Sequence, residues 1–134
     1  MSTITIGGSK MEARVIYDTP LSEVPRIKLD GDVDLYTVSL LKETVQNLMD
    51  KGHSDIVIDL ENVIYMDSTG LGAIVGIYRR MKEKKGKIYL ICPNPQVGRV
   101  FHSTGLSQIF FFYENEADFV KKIEEQKEKE PENL

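Results

Sequence analysis

Apolar residues recur along the chain with two alternating periods. Short β-branched or aromatic runs stand at Arg14-Val15-Ile16-Tyr17, Val24 to Leu29, Asp55 to Leu60, Lys87 to Ile91 and Ile109 to Tyr113. Each reads as a strand. The run Ile56-Val57-Ile58 is nearly continuous, as in a strand covered on both faces. Between the runs the spacing becomes helical. Val38, Leu41, Val45 and Leu48 form one stripe, and Leu71, Ile74, Val75 and Tyr78 form a second at i, i+3, i+4, i+7. Asn94 then Pro95 has the cap-then-proline order of a helix start, with Val97, Val100 and Phe101 facing inward. A fourth helix is expected from about Asn115, with Asp118 in its cap and Val120 and Ile123 on its apolar side. The order β-β-α-β-α-β-α-β-α predicts an α/β domain with a mixed, mostly parallel sheet of about five strands and about four helices.

The two ends depart from this pattern. Residues 1–12 are small and polar apart from two isoleucines, which fits either a frayed arm or an added edge strand. Residues 126–134 are charged and contain Pro131, so a disordered tail is expected there, leaving residues 13–125 as the folded domain. The 134 residues suffice for one core without staples. Net charge of −4 argues against nucleic acid or an anionic membrane as the main partner. The basic group Arg79-Arg80-Met81-Lys82 reads as the solvated end of a helix. The single cysteine, Cys92, rules out an internal disulfide and closes an apolar strand, where an inert thiol is expected. The N-terminus has no basic stretch before an apolar core, and no apolar run approaches the ~18 residues of a membrane span. A cytoplasmic location is expected.

The tetrapeptide Ser-Thr-Gly-Leu occurs twice, at 68–71 and 103–106. The second copy follows a helical run, and Gly105 then Leu106 fit a left-handed helix stop with an apolar residue folding back. The first copy opens a helix, where Asp67 or Ser68 can accept from the free N–H groups of the first turn. Capping leaves the glycines unexplained, because each costs roughly 1 kcal/mol in a helix relative to alanine. Gly72 and Gly76, with Ala73 beside them, leave a bare helix face for close backbone approach. Its neighbour is either another helix of the same fold or a second protein.

Enzyme motifs fail on spacing. Asp67-Ser68-Thr69-Gly70 has one residue too many for the aspartic protease motif and lacks its second aspartate. Met66 stands where a nucleophile elbow needs glycine. His53 lies in a polar turn and His102 near a helix end, so neither is expected to act as a base. Gly70-x-Gly72 lacks the acidic residue that a dinucleotide site wants at the end of the next strand, and no Walker lysine follows. No catalytic residue, cofactor or metal is expected.

Ser68 is instead well placed to accept phosphate. A helix N-terminus carries about half a positive charge and free N–H groups, and a phosphoryl group adds about −1.5 to −2 charges at neutral pH. The group can be accepted without collapse of the fold, while a partner docked on that surface meets new charge and bulk.

The run VIYMDSTGLGAIVGIYRRMKEKKGKIYL, preceded by IKLDGDVDLYTV and followed by VFHSTGL, resembles the STAS domains of bacterial anti-sigma factor antagonists. The resemblance covers about residues 13–125. It implies a STAS fold and a protein whose unmodified form binds an anti-sigma factor that is also a serine kinase, freeing a sigma factor. Phosphorylation by that kinase switches binding off, and a manganese- or magnesium-dependent phosphatase restores it. By position the phosphoacceptor is Ser68, with Thr69 the less favoured hydroxyl. Asp34 matches a family position beside the phosphosite, and its plain reading is turn or cap chemistry. Asp67, Gly70, Gly72 and Gly76 complete the expected surroundings. Asp32 stands where the family often has glutamate. The second reading is a STAS scaffold or regulatory subunit of a signalling assembly or of a lipid or anion transport system.

Overall fold

The computed structural model describes residues 2–129. Six strands form one sheet in sequence order: β1 (Ser2–Ile6), β2 (Ser9–Ile16), β3 (Arg26–Val33), β4 (Ile56–Met66), β5 (Ile88–Ile91) and β6 (Phe111–Tyr113). β1, β2 and β3 are antiparallel neighbours, whereas β3 to β6 run parallel. Helices α1 (Val38–Asp50), α2 (Ser68–Glu83) and α3 (Pro95–Ser103) make the crossovers, and α4 (Glu116–Lys129) follows β6. Crossovers of one hand along a sheet laid down in order place their helices on one face. The packing agrees. Val38, Leu41, Ile74, Ile77, Val97 and Phe101 share the main core, whereas α4 buries Phe119 and Ile123 against Val57, Tyr89, Ile91 and Tyr113 in a second cluster.

The boundaries differ from expectation in ways that shape the site end. The N-terminal residues form a hairpin: Ile4 packs on the main core, and β2 starts at Ser9, five residues before the expected strand. β3 continues to Val33 and β4 to Met66, so Gly31-Asp32-Val33 and Val63 to Met66 are paired strand rather than loop. Exposed residues interrupt the apolar alternation there, and register shifts at Lys28/Asp30 and Gly31/Asp32 mask the period. Gly31, at φ 118°, has a backbone that only glycine tolerates well; a Cβ there would lie 2.2 Å from the Lys10 carbonyl oxygen.

Ile109 and Phe110 lie outside the last strand, after a short 3-10 turn at Leu106–Gln108. Gly105 takes the left-handed conformation expected of the second Ser-Thr-Gly-Leu copy, and Leu106 packs back on the core. α4 runs to Lys129, past the expected boundary at 125, because Glu124 to Lys129 are all strong helix formers and Lys127 reaches the Pro20 carbonyl. The rest of the expected tail lies outside the described residues.

Arg26 fastens the second face. Arg26 is 3% exposed, and its guanidinium donates to Asp18 (2.9 Å), to buried Asp59 (3.0 Å) and to both carboxylate oxygens of Glu116 (2.6 and 2.8 Å). Burial alone would lower its proton affinity; the Glu116, Asp59 and Asp18 hydrogen bonds outweigh that and raise it. One side chain thereby ties the loop after β2, strands β3 and β4, and the first turn of α4.

Candidate functional site around Ser68

Strands β3 and β4 deliver their carboxyl ends side by side, and the chain leaving β4 turns directly into α2. Asp67 is the N-cap: extended (φ −96°, ψ −176°), its Oδ1 accepts from the Gly70 N–H at 2.9 Å, and its carbonyl accepts from the Leu71 N–H at 3.0 Å. Of the two expected cap residues it is Asp67 that serves. Ser68, the first helical residue, is left exposed, while Thr69 is half-buried. Among the described residues the N–H groups of Ser68 and Thr69 have no backbone or side-chain acceptor, so two first-turn donors stay free.

Gly70 is explained inside the fold. A Cβ there would lie 2.4 Å from the Val33 carbonyl oxygen, which also accepts from the Asp67 N–H at 3.3 Å. The start of α2 is pressed against the last residue of β3. Gly72 and Gly76 are different, because an added Cβ at either meets nothing within 4 Å. Among the described residues the adjacent helix α1 borders this face through Lys42 but does not close over the glycines. They line a shallow surface concavity with Ala73 and Ile77, flanked by Lys42 and Arg80. The inward stripe of α2 is Gly70, Ala73, Ile74, Ile77 and Met81, rotated from the expected one; Leu71, Val75 and Tyr78 are half-buried at its border. Seating Gly70 on Val33 sets that rotation.

Asp34 follows Val33 and is 7% exposed. Its carboxylate accepts from Ser9 Oγ (2.7 Å), the Tyr36 N–H (2.9 Å) and the Thr37 N–H (3.2 Å), and Thr37 Oγ1 accepts from the Asp34 N–H (3.0 Å). Burial would push this carboxyl up, but the hydrogen bonds from Ser9, Tyr36 and Thr37 win and hold it below the usual range. Asp34 thus shapes the turn into α1. The parallel pairing of β3 with β4 brings Asp34 to the same end of the sheet as Asp67, Ser68, Thr69 and Gly70. Sequence reasoning missed Ser9, a lone serine in a polar arm with no signal of its own.

The other polar residues lie elsewhere. His53 meets the Tyr17 hydroxyl at 3.1 Å, and His102 Nδ1 meets Ser107 Oγ at 3.0 Å; among the described residues neither has a hydrogen-bonded carboxylate partner. Cys92 is buried, which pushes its thiol up to about 11. Among the described residues no group of three or more His, Cys, Asp or Glu is placed to hold a metal ion, and no helix is long and apolar enough to cross a membrane.

Among the described residues, five of the nine large apolar side chains left exposed, namely Ile6, Leu35, Tyr36, Ile64 and Tyr65, stand at the site end. Leu35 is 63% and Ile64 69% exposed. Apolar residues gathered at one end of a small domain suit contact with another molecule.

Comparison with known proteins identifies the family. The family model of the STAS domain matches residues 19–119. The anti-sigma-B factor antagonist of Staphylococcus aureus is 39% identical over 83 residues, covering 62% of this chain and 77% of that protein. Among solved structures, an anti-sigma factor antagonist from Mycobacterium paratuberculosis superposes with a TM-score of 0.66 at 23% identity, over 85% of this chain and 94% of that one. The Bacillus cell fate determinant SpoIIAA, solved in its phosphorylated form, gives 0.63 at 23% identity, over 84% of this chain and 99% of that one. The chain belongs to the STAS domain family, and anti-sigma factor antagonists are among its relatives.

Proposed function

We propose that this chain is an anti-sigma factor antagonist whose docking to an anti-sigma serine kinase is switched off by phosphorylation of Ser68. One observation carries the reading: Ser68 is exposed at the first position of a 16-residue helix, with its neighbouring amides free and its cap role taken by Asp67. The hydroxyl is therefore spare. A kinase can reach it, and the added phosphate stays in solvent beside amide dipoles that tolerate it, so the fold survives modification.

Docking does not survive it. The apolar residues Leu35, Ile64 and Tyr65 border the site, and a partner that covers them also covers position 68. Burying a phosphate dianion beside the Asp67 carboxylate costs several kcal/mol even after relaxation. The helix N-terminus returns only about 0.3–2 kcal/mol. The S. aureus relative, named as an anti-sigma-B factor antagonist, supports the partner class. The protein itself performs no chemistry in this scheme, and a phosphoserine phosphatase resets it.

The phosphoacceptor is tested by incubating the protein with the anti-sigma serine kinase of its own organism and ATP, then mapping the modified residue by mass spectrometry. Ser68→Ala is expected to abolish modification and keep binding. Modification of that variant at Thr69 or elsewhere at the wild-type rate would show that the acceptor is misassigned.

Gly72 supplies a separate check. With open space around its Cβ position, Gly72→Ala is expected to raise stability by up to about 1 kcal/mol through helix propensity. The larger Gly72→Leu should leave melting near wild type and weaken kinase binding, because the bare face is held for the partner. Wild-type affinity in both variants would remove the close-approach role.

A further inference from the structure

We infer that the N-terminal hairpin, β1 with the start of β2, extends the Ser68 docking surface for the same kinase; this rests on the function proposed above. The residues matched by the family model begin at 19, after β1 and β2. Yet the two strands are built into the site. Ser9 at the start of β2 makes the shortest hydrogen bond to Asp34, and a Cβ on Gly7 would lie 4.0 Å from the Tyr36 ring. The two-residue turn Gly7-Gly8, left-handed at both positions, brings β1 back antiparallel and sets Ile6 opposite Ser9. The hairpin thus braces the Asp34–Thr37 turn from outside.

It also adds surface. Ile6 is 46% and Tyr36 48% exposed, and with Leu35 they prolong the apolar border of the site toward the sheet edge. The surrounding charge is acidic. Asp30 and Glu61 are exposed, Asp32 and Asp67 are half-buried, and the nearby cation Lys10 is countered by Glu12 at 3.7 Å. The occupant that fits is the same protein that reads Ser68, presenting an apolar centre with basic residues at its edge. Ser9 acts as a positioning residue through Asp34, while Ile6 and Tyr36 make the contact.

The test uses the full chain and the recombinant anti-sigma serine kinase of the same organism, measuring Kd, KM and kcat for phosphorylation, and melting temperature. Ile6→Ser and Tyr36→Ala are each expected to raise Kd and KM about five- to tenfold, the size of an ordinary interface truncation, with kcat and melting unchanged. Ser9→Ala should raise KM likewise and Ser9→Thr should restore it. Binding should weaken as salt increases. If Ile6→Ser and Tyr36→Ala both bind like wild type while Ser68 phosphorylation still abolishes binding, the hairpin plays no part and the switch stands. If the wild-type chain self-associates, and Ile6→Ser abolishes that association without altering kinase binding, the lip serves a second copy and the inference is overturned. Phosphorylation that leaves wild-type binding intact overturns the switch itself, whatever the hairpin variants do.

Discussion

Arg26→Met is expected to lower the free energy of unfolding by about 3–5 kcal/mol, measured by urea denaturation. The reason lies in what the change leaves behind. Asp59 is 1% exposed and its Oδ2 is held by the Arg26 guanidinium, so removing the cation strands a carboxylate in the sheet. Glu116 and Asp18 suffer less, since both reach solvent. Against a total stability of about 5–15 kcal/mol for a domain of this size, the loss is a large fraction. Methionine keeps much of the aliphatic stem, so the loss comes from the charge. The double variant Arg26→Met with Asp59→Leu should recover most of it, because a packed apolar pair can match a buried ion pair. Wild-type stability in Arg26→Met alone would mean that Asp59 finds another partner or is wetted.

This cluster also shows why part of the molecule was hidden in the sequence. Its members are Asp18, Arg26, Asp59 and Glu116, isolated charges in four separate elements, and no local spacing links them. In α4 the expected Ile123 is buried, but its partner is Phe119, and the expected Val120 is only half-buried. In α2 the buried face runs through Gly70 and Ala73, which carry too little apolar surface to register in a periodicity. The carboxyl ends of β3 and β4 escaped notice because register shifts and exposed residues break their alternation.

What was legible was whatever is set locally. The stripe of α1, the Asn94-Pro95 start of α3 and the β-branched run of β4 each follow from neighbours a few residues away. The start of α2 was legible for the same reason: an acidic cap, a hydroxyl and a glycine in succession describe a helix start by themselves. The reason for Gly70 required the fold, since the Val33 carbonyl it meets belongs to a strand far away in sequence.

The second large effect concerns affinity. Complete phosphorylation of Ser68 is expected to weaken kinase binding at least about 100-fold, equivalent to roughly 2.7 kcal/mol. That figure is the lower end of what an uncompensated dianion costs when an apolar face closes over it. The free Ser68 and Thr69 amides reduce the cost but cannot cancel it, because they act on the folded protein whether or not a partner is present. Ser68→Asp should fall between the two states, since a carboxylate carries half the charge on a shorter arm. Melting should change little on phosphorylation, the site being in solvent.

The decisive measurement is calorimetric titration of the anti-sigma serine kinase with unmodified protein and with protein phosphorylated stoichiometrically at Ser68, under identical salt. Tight binding of the first and loss of about two orders of magnitude or more in the second is the expected result. Equal affinities would contradict the account, and the exposed hydroxyl at the start of α2 would then need another purpose.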